Sequence, residues 1–259
     1  MQKLKFYKYQ GTGNDFVMID NRDMAIASEN VSLVKRLCDR KFGVGADGLI
    51  LIQPLEGYDF EMIYFNADGT KSLCGNGCRS AVMFARHLGI VGNKASFMTI
   101  DGGLKAQVND DEVKLGMPDV KKVEEIDGDY YVNTGSPHYV AFVDEVKDYP
   151  VFEMGRSIRN NEHFAPKGGT NVNFVQKLSD HEVFVRTYER GVEDETLSCG
   201  TGVTGVVLVC HFAKQMTSPV TVQTLGGTLQ ISFDYDANGY TNICLQGPAK
   251  KVFEGEIEI

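Results

Sequence analysis

Short stretches that alternate apolar and polar residues dominate this chain, interrupted by two longer runs in which nearly every residue is small or apolar. Leu4–Tyr9 and Asp15–Asp20 alternate on either side of Gly11-Thr12-Gly13-Asn14, a sequence suited to a tight turn, so both read as strands. Leu33, Val34 and Leu37 fall at helical spacing within Ser32–Arg40. Strands are expected at Leu49–Gln53 and Phe60–Phe65. A helix buried on most sides is expected from Asn76 to Leu88, stopped by Gly89. Phe97–Ile100, Leu104–Val108 and Glu112–Leu115 give further strands.

Met117–Asp127 shifts toward Pro, Lys, Asp and Glu and reads as a linker. The order then recurs, with strands at Tyr139–Val143, Val172–Gln176 and Val183–Tyr188, a loop, and a second apolar helix over Thr201–Lys214. Strands at Val220–Thr224, Thr228–Phe233, Tyr240–Leu245 and Val252–Ile257 follow. One apolar helix among many strands in each half predicts an α+β protein of two pseudo-symmetric domains, each a curved mixed sheet wrapped around a central helix. The first spans residues 1–117, with the terminal strand at 250–259 returning to it, and the second spans 118–249.

Composition narrows the function. At 259 residues, with 42% hydrophobic and 24% charged residues, the chain can bury two ordinary cores. No apolar run reaches the ~18 residues of a membrane span, which points to a cytoplasmic protein. A formal charge of −9 argues against a nucleic-acid partner. Six cysteines without a signal peptide read as reduced thiols.

Two of those cysteines sit in a repeated element. Cys74-Gly75-Asn76-Gly77 and Cys199-Gly200-Thr201-Gly202 share the pattern Cys-Gly-x-Gly, and each opens an apolar helix about one domain length from the other. Unpaired amides and the dipole of a helix N-terminus favour a thiolate, and the glycines let N–H groups approach an anion. The remaining cysteines, Cys38, Cys78, Cys210 and Cys244, read as small core residues. A zinc site is disfavoured because Cys74 and Cys78 have three intervening residues and the five histidines are scattered. Gly43-Val-Gly-Ala-Asp-Gly48 and Gly200-Thr-Gly-Val-Thr-Gly205 match a dinucleotide fingerprint only formally, since neither has the required strand, helix and acidic context.

These motifs, together with Gly11-Thr-Gly-Asn14-Asp15-Phe16, Gly43-Val-Gly-Ala-Asp47-Gly48, Phe65-Asn66-Ala-Asp-Gly69, Gly135-Ser136-Pro-His138, Asn171-Val-Asn-Phe174 and Tyr188-Glu189-Arg190-Gly191, resemble the diaminopimelate epimerase family almost end to end. The resemblance implies a pyridoxal-independent enzyme, needing no cofactor or metal, that interconverts LL- and meso-diaminopimelate in lysine and peptidoglycan precursor synthesis. It implies Cys74 and Cys199 as acid and base on opposite faces of the α-carbon, in a cleft between the two domains. His138 and Glu189 would adjust cysteine protonation and substrate binding. Asn14, Asn66, Asn171 and Arg190 would hold the distal end of the substrate, with Arg190 on its carboxylate. Gly75, Asn76, Gly200 and Thr201 would hold the reacting carboxylate.

Two positions depart from the family's usual residues: Gly48 where glutamine is common and Ser136 where asparagine is common. The expected partner is a small-molecule substrate, an amino acid such as diaminopimelate, with distal contacts that these two positions alter, and a homodimer is an allowed assembly. Rival readings are another cofactor-independent racemase, of the proline or hydroxyproline kind, and a non-catalytic amino-acid-binding module.

Overall fold

The computed structural model describes residues 3–27 and 29–259. The chain divides into two compact units, Met1–Leu115 with Gly247–Ile259, and Gly116–Gln246.

The first unit contains β1 (Lys3–Gly11), β2 (Asn14–Asp20), α1 (Val31–Cys38), β3 (Gly48–Gln53), β4 (Phe60–Asn66), α2 (Gly75–His87), β5 (Lys94–Thr99), β6 (Gly102–Asn109) and β7 (Glu112–Gly116). β1 and β2 form a hairpin turned by Thr12 and Gly13, both at positive φ. β2 pairs with β3 in parallel and β3 with β4 antiparallel; β4 pairs with β5 in parallel, and β5, β6 and β7 continue antiparallel.

The second unit contains β8 (Glu124–Ile126), β9 (Asp129–Asn133), β10 (Pro137–Phe142), α3 (Val151–Arg159), β11 (Asn171–Lys177), β12 (Glu182–Glu189), β13 (Asp194–Thr196), α4 (Gly200–Lys214), β14 (Val220–Thr224), β15 (Gly227–Asp236) and β16 (Gly239–Pro248). The last two residues of β16 already belong to the first unit. β17 (Lys250–Glu258) returns to the first unit as the antiparallel neighbour of β1, with Lys3 opposite Glu258.

Pairing in the second unit repeats that of the first. β9 pairs antiparallel with β10, β10 parallel with β11, β11 antiparallel with β12, β12 parallel with β14, and β14 to β16 run antiparallel. β8 borders β9 as β17 borders β1. β2 therefore corresponds to β10, β3 to β11, and helix α2 to helix α4.

Each of these helices packs against the strands of its own unit: α2 on β1, β2, β3, β4, β6 and β17, and α4 on β9, β10, β11, β12 and β15. In α2 the apolar side is Cys78, Ala81, Val82, Phe84 and Ala85, all buried, with the Phe84 ring 4.8 Å from that of Tyr7. Burying such a phenylalanine stabilises the fold by about 1.5–3 kcal/mol. α4 is buried along Val203–Cys210, which explains its uninterrupted apolar sequence.

The Met117–Asp127 segment differs from the linker expected. Met117, Val120 and Val123 are buried, and the backbones of Met117 and Val120 bond to Ile243 and Tyr240 of β16. The polar residues between them form the solvent side of an ordered segment of the second unit. Among the described residues, no helix is long and apolar enough to cross a membrane.

Candidate active site

In the first unit, Cys74 is the N-cap of α2, with extended backbone at φ −129° and ψ 111°. Its Sγ accepts the Gly77 N–H at 3.4 Å, so the sulfur takes one of the donors that a helix start leaves unpaired. The thiol in turn donates to Asn14 Oδ1 at 3.4 Å, and Asn76 Nδ2 donates to the same oxygen at 3.3 Å.

The Asn14 amide is oriented from behind, because its Nδ2 donates to the Asp47 carboxylate at 2.7 Å and a carboxylate can only accept. Asp47 is gripped by Arg40, which also forks onto Asp15, and Asp15 pairs with the buried Lys8. Burial opposes charge on Asp15, but the bonds from Arg40 and Lys8 prevail and hold its carboxyl at about 2. Cys74, Asn14 and Asn76 thus form one group with a fixed ionic base. Asn66 belongs to another: its amide is used within its own turn, accepting from the Tyr64 hydroxyl at 3.0 Å and donating to Thr70 and Ser72.

Tyr64 also accounts for Gly48. A Cβ built on Gly48 would collide with the Tyr64 ring and lie 2.5 Å from the Phe65 carbonyl oxygen. The space that a larger residue at 48 would occupy is filled in this chain by the tyrosine that orients Asn66.

In the second unit, Cys199 is the N-cap of α4 and is buried. Gly202, one turn into the helix, is required there: a Cβ would lie 2.6 Å from Asn173 Oδ1 and 3.3 Å from the Cys199 sulfur. Cys199 Sγ is 3.6 Å from Thr201 Oγ1, which is 3.0 Å from His138 Nε2.

Hydrogen-bond polarity orders these contacts. Asn173 Nδ2 donates to the Tyr139 carbonyl at 2.9 Å and its Oδ1 accepts from Thr187 at 3.0 Å, so Nδ2 is also what faces His138 Nδ1, at 3.3 Å. Nδ1 therefore accepts, Nε2 carries the proton and donates to Thr201, and the Thr201 hydroxyl is left to donate to the Cys199 sulfur. A run of donors aimed at a sulfur favours negative charge on it.

Burial, and secondarily the nearby positive charge of Arg190, push His138 from its usual 6.5 down to about 3, so it acts as a neutral orienting group. The unfolded chain binds a proton below about pH 6.5 that the folded chain refuses. His138's contribution to stability is therefore complete above that pH and is lost as pH falls toward 3. The slope should reach about 1.4 kcal/mol per pH unit for this one proton. Urea midpoints of wild type and His138→Gln between pH 4 and 6.5 check it; equal slopes would refute a neutral, buried imidazole.

The other expected residues cluster nearby in sequence but make separate bonds. Asn171 donates to Ser136 Oγ and to the Pro137 carbonyl, each at 2.9 Å, and accepts the Arg190 backbone N–H at 2.9 Å. Glu189 accepts from Thr196 at 2.9 Å. Among the described residues no carboxylate lies within ion-pair distance of the Arg190 guanidinium, which is exposed. The backbones of Gly75, Asn76, Gly200 and Thr201 form the first turns of the two helices.

Sequence reasoning had not assigned Asp47, Asn173 or Thr187, which set the orientation of Asn14 and His138. Asn173 did carry a signal: it lies two residues from Asn171 on a strand, hence on the same face. Among the described residues, no group of three or more His, Cys, Asp or Glu side chains is gathered to hold a metal.

Comparison with known proteins adds to this geometry. The sequence matches the profile of the family described as diaminopimelate epimerase over residues 6–123 and 130–252. A diaminopimelate epimerase of Flavobacterium psychrophilum is 46% identical, covering 98% of this chain and 100% of that protein. One from Aquifex aeolicus is 44% identical, covering 98% of each.

Among solved structures, a PhzF-family phenazine biosynthesis protein from Bacillus anthracis superimposes with a TM-score of 0.79 over 100% of both chains at 15% identity. A hydroxyproline epimerase from Agrobacterium vitis gives 0.70 over 99% of this chain and 91% of that one, also at 15% identity. These two likenesses speak for the α+β fold alone. Profile and relatives together cover the chain almost end to end, and by them it belongs to the diaminopimelate epimerase family.

Proposed function

We propose that this chain is an isomerase that interconverts LL- and meso-diaminopimelate by moving a proton between two sulfurs and the substrate α-carbon, serving lysine and peptidoglycan precursor synthesis. The observation that carries the reading is the duplicated sulfur: each unit sets one cysteine at the N-cap of its central helix, at the same place in the same strand order. Inversion needs a base on one face of the carbon and an acid on the other, and one sulfur from each unit meets that need. The reaction requires the substrate α-carbon to come within reach of both.

An α-proton is hard to remove without stabilising the carbanion. The amides that open α2 and α4, at Gly75, Asn76, Gly200 and Thr201, are suited to hold the reacting carboxylate and spread that charge. Arg190, with no carboxylate in ion-pair distance among the described residues, is suited to the distal carboxylate, which favours a diamino-dicarboxylate over proline-type substrates. Asn14, Asn66, Asn171 and Ser136 are assigned to the approaches of the distal end. Glu189 and His138 are assigned to the setting of cysteine protonation, His138 through Thr201. A cytoplasmic location, where thiols stay reduced, fits the same chemistry, and a homodimer is compatible with it.

The test is incubation with LL-diaminopimelate in deuterium oxide. One deuteron should enter the α-position as the meso isomer forms, read by mass spectrometry and chiral chromatography. Exchange with proline, histidine or glutamate but not with diaminopimelate would overturn the substrate, and exchange with none would overturn the reaction.

A further inference from the structure

If each cysteine must serve as thiolate in one direction of the reaction, each unit must stabilise a negative sulfur. The second unit does so with the Asn173, His138, Thr201 series. At the equivalent place the first unit has no histidine. The parallel register places His138 opposite Asn171, the first residue of β11, and places Phe16 opposite Gly48, the first residue of β3. The position that holds imidazole in one half holds a phenyl ring in the other.

α2 carries the converse difference. Five residues after Cys74 comes Arg79, whereas five residues after Cys199 comes Thr204, whose hydroxyl bonds back to the Gly200 carbonyl. Arg79 is fully buried. Its Nη2 donates to Asn76 Oδ1 at 3.0 Å and Thr12 Oγ1 at 3.3 Å, while Nε and Nη1 find no acceptor. Among the described residues no carboxylate forms an ion pair with it.

Such a charge is costly to bury unless an anion offsets it, and for that reason buried arginines are almost always paired. Burial lowers the guanidinium to about 10, which leaves it charged at neutral pH, and the ionisable groups whose charge reaches it are the thiols of Cys74 and Cys78. Cys78 is no candidate anion, because complete burial, with lesser contributions from Cys74 and Asp101, pushes its thiol far up.

We propose that Arg79 is a positioning residue that makes Cys74 competent as a base: its buried guanidinium, paired with no carboxylate among the described residues, supplies the positive charge that the Cys74 thiolate requires, in the half that has no histidine at the equivalent place. The same residue steers Asn76, whose amide meets Asn14 beside the sulfur. The inference rests on the two-sulfur reading above.

Asp101, following β5, acts on Cys78. Asp47 and its partner Arg40 stand behind Asn14, on the side of β2 and β3. From β1, β4, β6 and β17, no ionised side chain bonds to Arg79 among the described residues. Asn14 opposes the guanidinium, since its Oδ1 accepts the thiol proton. Arg79 is what tilts the balance when that proton leaves.

The experiment measures the pH dependence of iodoacetamide alkylation at Cys74, located by fragmentation mass spectrometry. It uses the full chain carrying Cys199→Ala, so that one thiol titrates without its partner. With Arg79 present the midpoint should lie at least one pH unit below the ~8.5 of a free thiol. Arg79→Met should raise it by at least one pH unit, a tenfold lower proton concentration, and Arg79→Lys, which keeps the charge, should stay within about half a pH unit of the parent.

Coincident profiles for the parent and the Arg79→Met variant, or equal displacement by lysine and methionine, would overturn the proposal. If Arg79→Met does not fold, Arg79→Gln, which keeps hydrogen-bond donors without the charge, is read in its place: a midpoint at least one pH unit above the parent's upholds the proposal and a smaller rise overturns it. Deuterium exchange by the unaltered enzyme is scored separately, so a failure of Arg79 is distinguishable from a failure of the epimerase reading.

Discussion

Replacing Cys74 or Cys199 with alanine is expected to lower epimerisation by about 10²–10⁴-fold, the range a positioned acid or base contributes. The two losses should be comparable, because on the proposed two-sulfur mechanism each removes one of two partners in a single proton relay, and the double variant should be little worse than either alone. Stability should separate them. Cys74 caps α2 by accepting the Gly77 N–H, whereas no such cap bond is made by the Cys199 side chain. Cys74→Ala should therefore cost about 0.5–2 kcal/mol that Cys199→Ala does not. Chiral assays and urea denaturation of the three variants check both statements. Either single variant retaining most of its activity would refute the assignment of two bases.

The second large effect is expected at Arg190. Its backbone is fixed by Asn171, and its guanidinium has no carboxylate within the described residues. Truncating one member of a hydrogen-bonded charge pair typically costs about 2–5 kcal/mol. Arg190→Met should thus reduce kcat/KM for diaminopimelate by roughly 30- to 4000-fold, at about 1.4 kcal/mol per decade. Lysine should rescue little of this, because an ammonium cannot reproduce the two-pronged contact. A substrate of the same length without the distal carboxylate should lose much less on the same replacement. Equal losses for both substrates would show that Arg190 does not bind that carboxylate.

How far the sequence carried depended on where each signal came from. The two helices were legible because a buried helix needs a long apolar run and because the Cys-Gly-x-Gly starts repeat. α3 was not foreseen: Pro150 precedes it, Gly155 interrupts it, and only Val151 and Gly155 are buried, so its hydrophobic pattern is weak. β8 and β13 have three residues each, too few to show a period.

At the site, the two cysteines could be picked out by type and spacing and the histidine and asparagines only through the family resemblance, but their bonds could not. That Asp47 turns the Asn14 amide, or that Asn173 sets the tautomer of His138, depends on strand register across gaps of more than thirty residues. Arg79 was the least visible, since an arginine inside a helix ordinarily reads as a surface residue.

The strand β17 has a consequence for how the molecule is made. Among the described residues it is the neighbour of β1 on the side away from β2, and it joins residues far apart in the sequence, as in Lys3 opposite Glu258. A ribosome delivers residues 1–115 first, yet the sheet they build stays one strand short until the whole of the second unit has been translated. During that interval the free side of β1 is open to unintended partners. Refolding should accordingly show the second unit acquiring protection from hydrogen exchange before β1 does, since contacts between such distant residues close late.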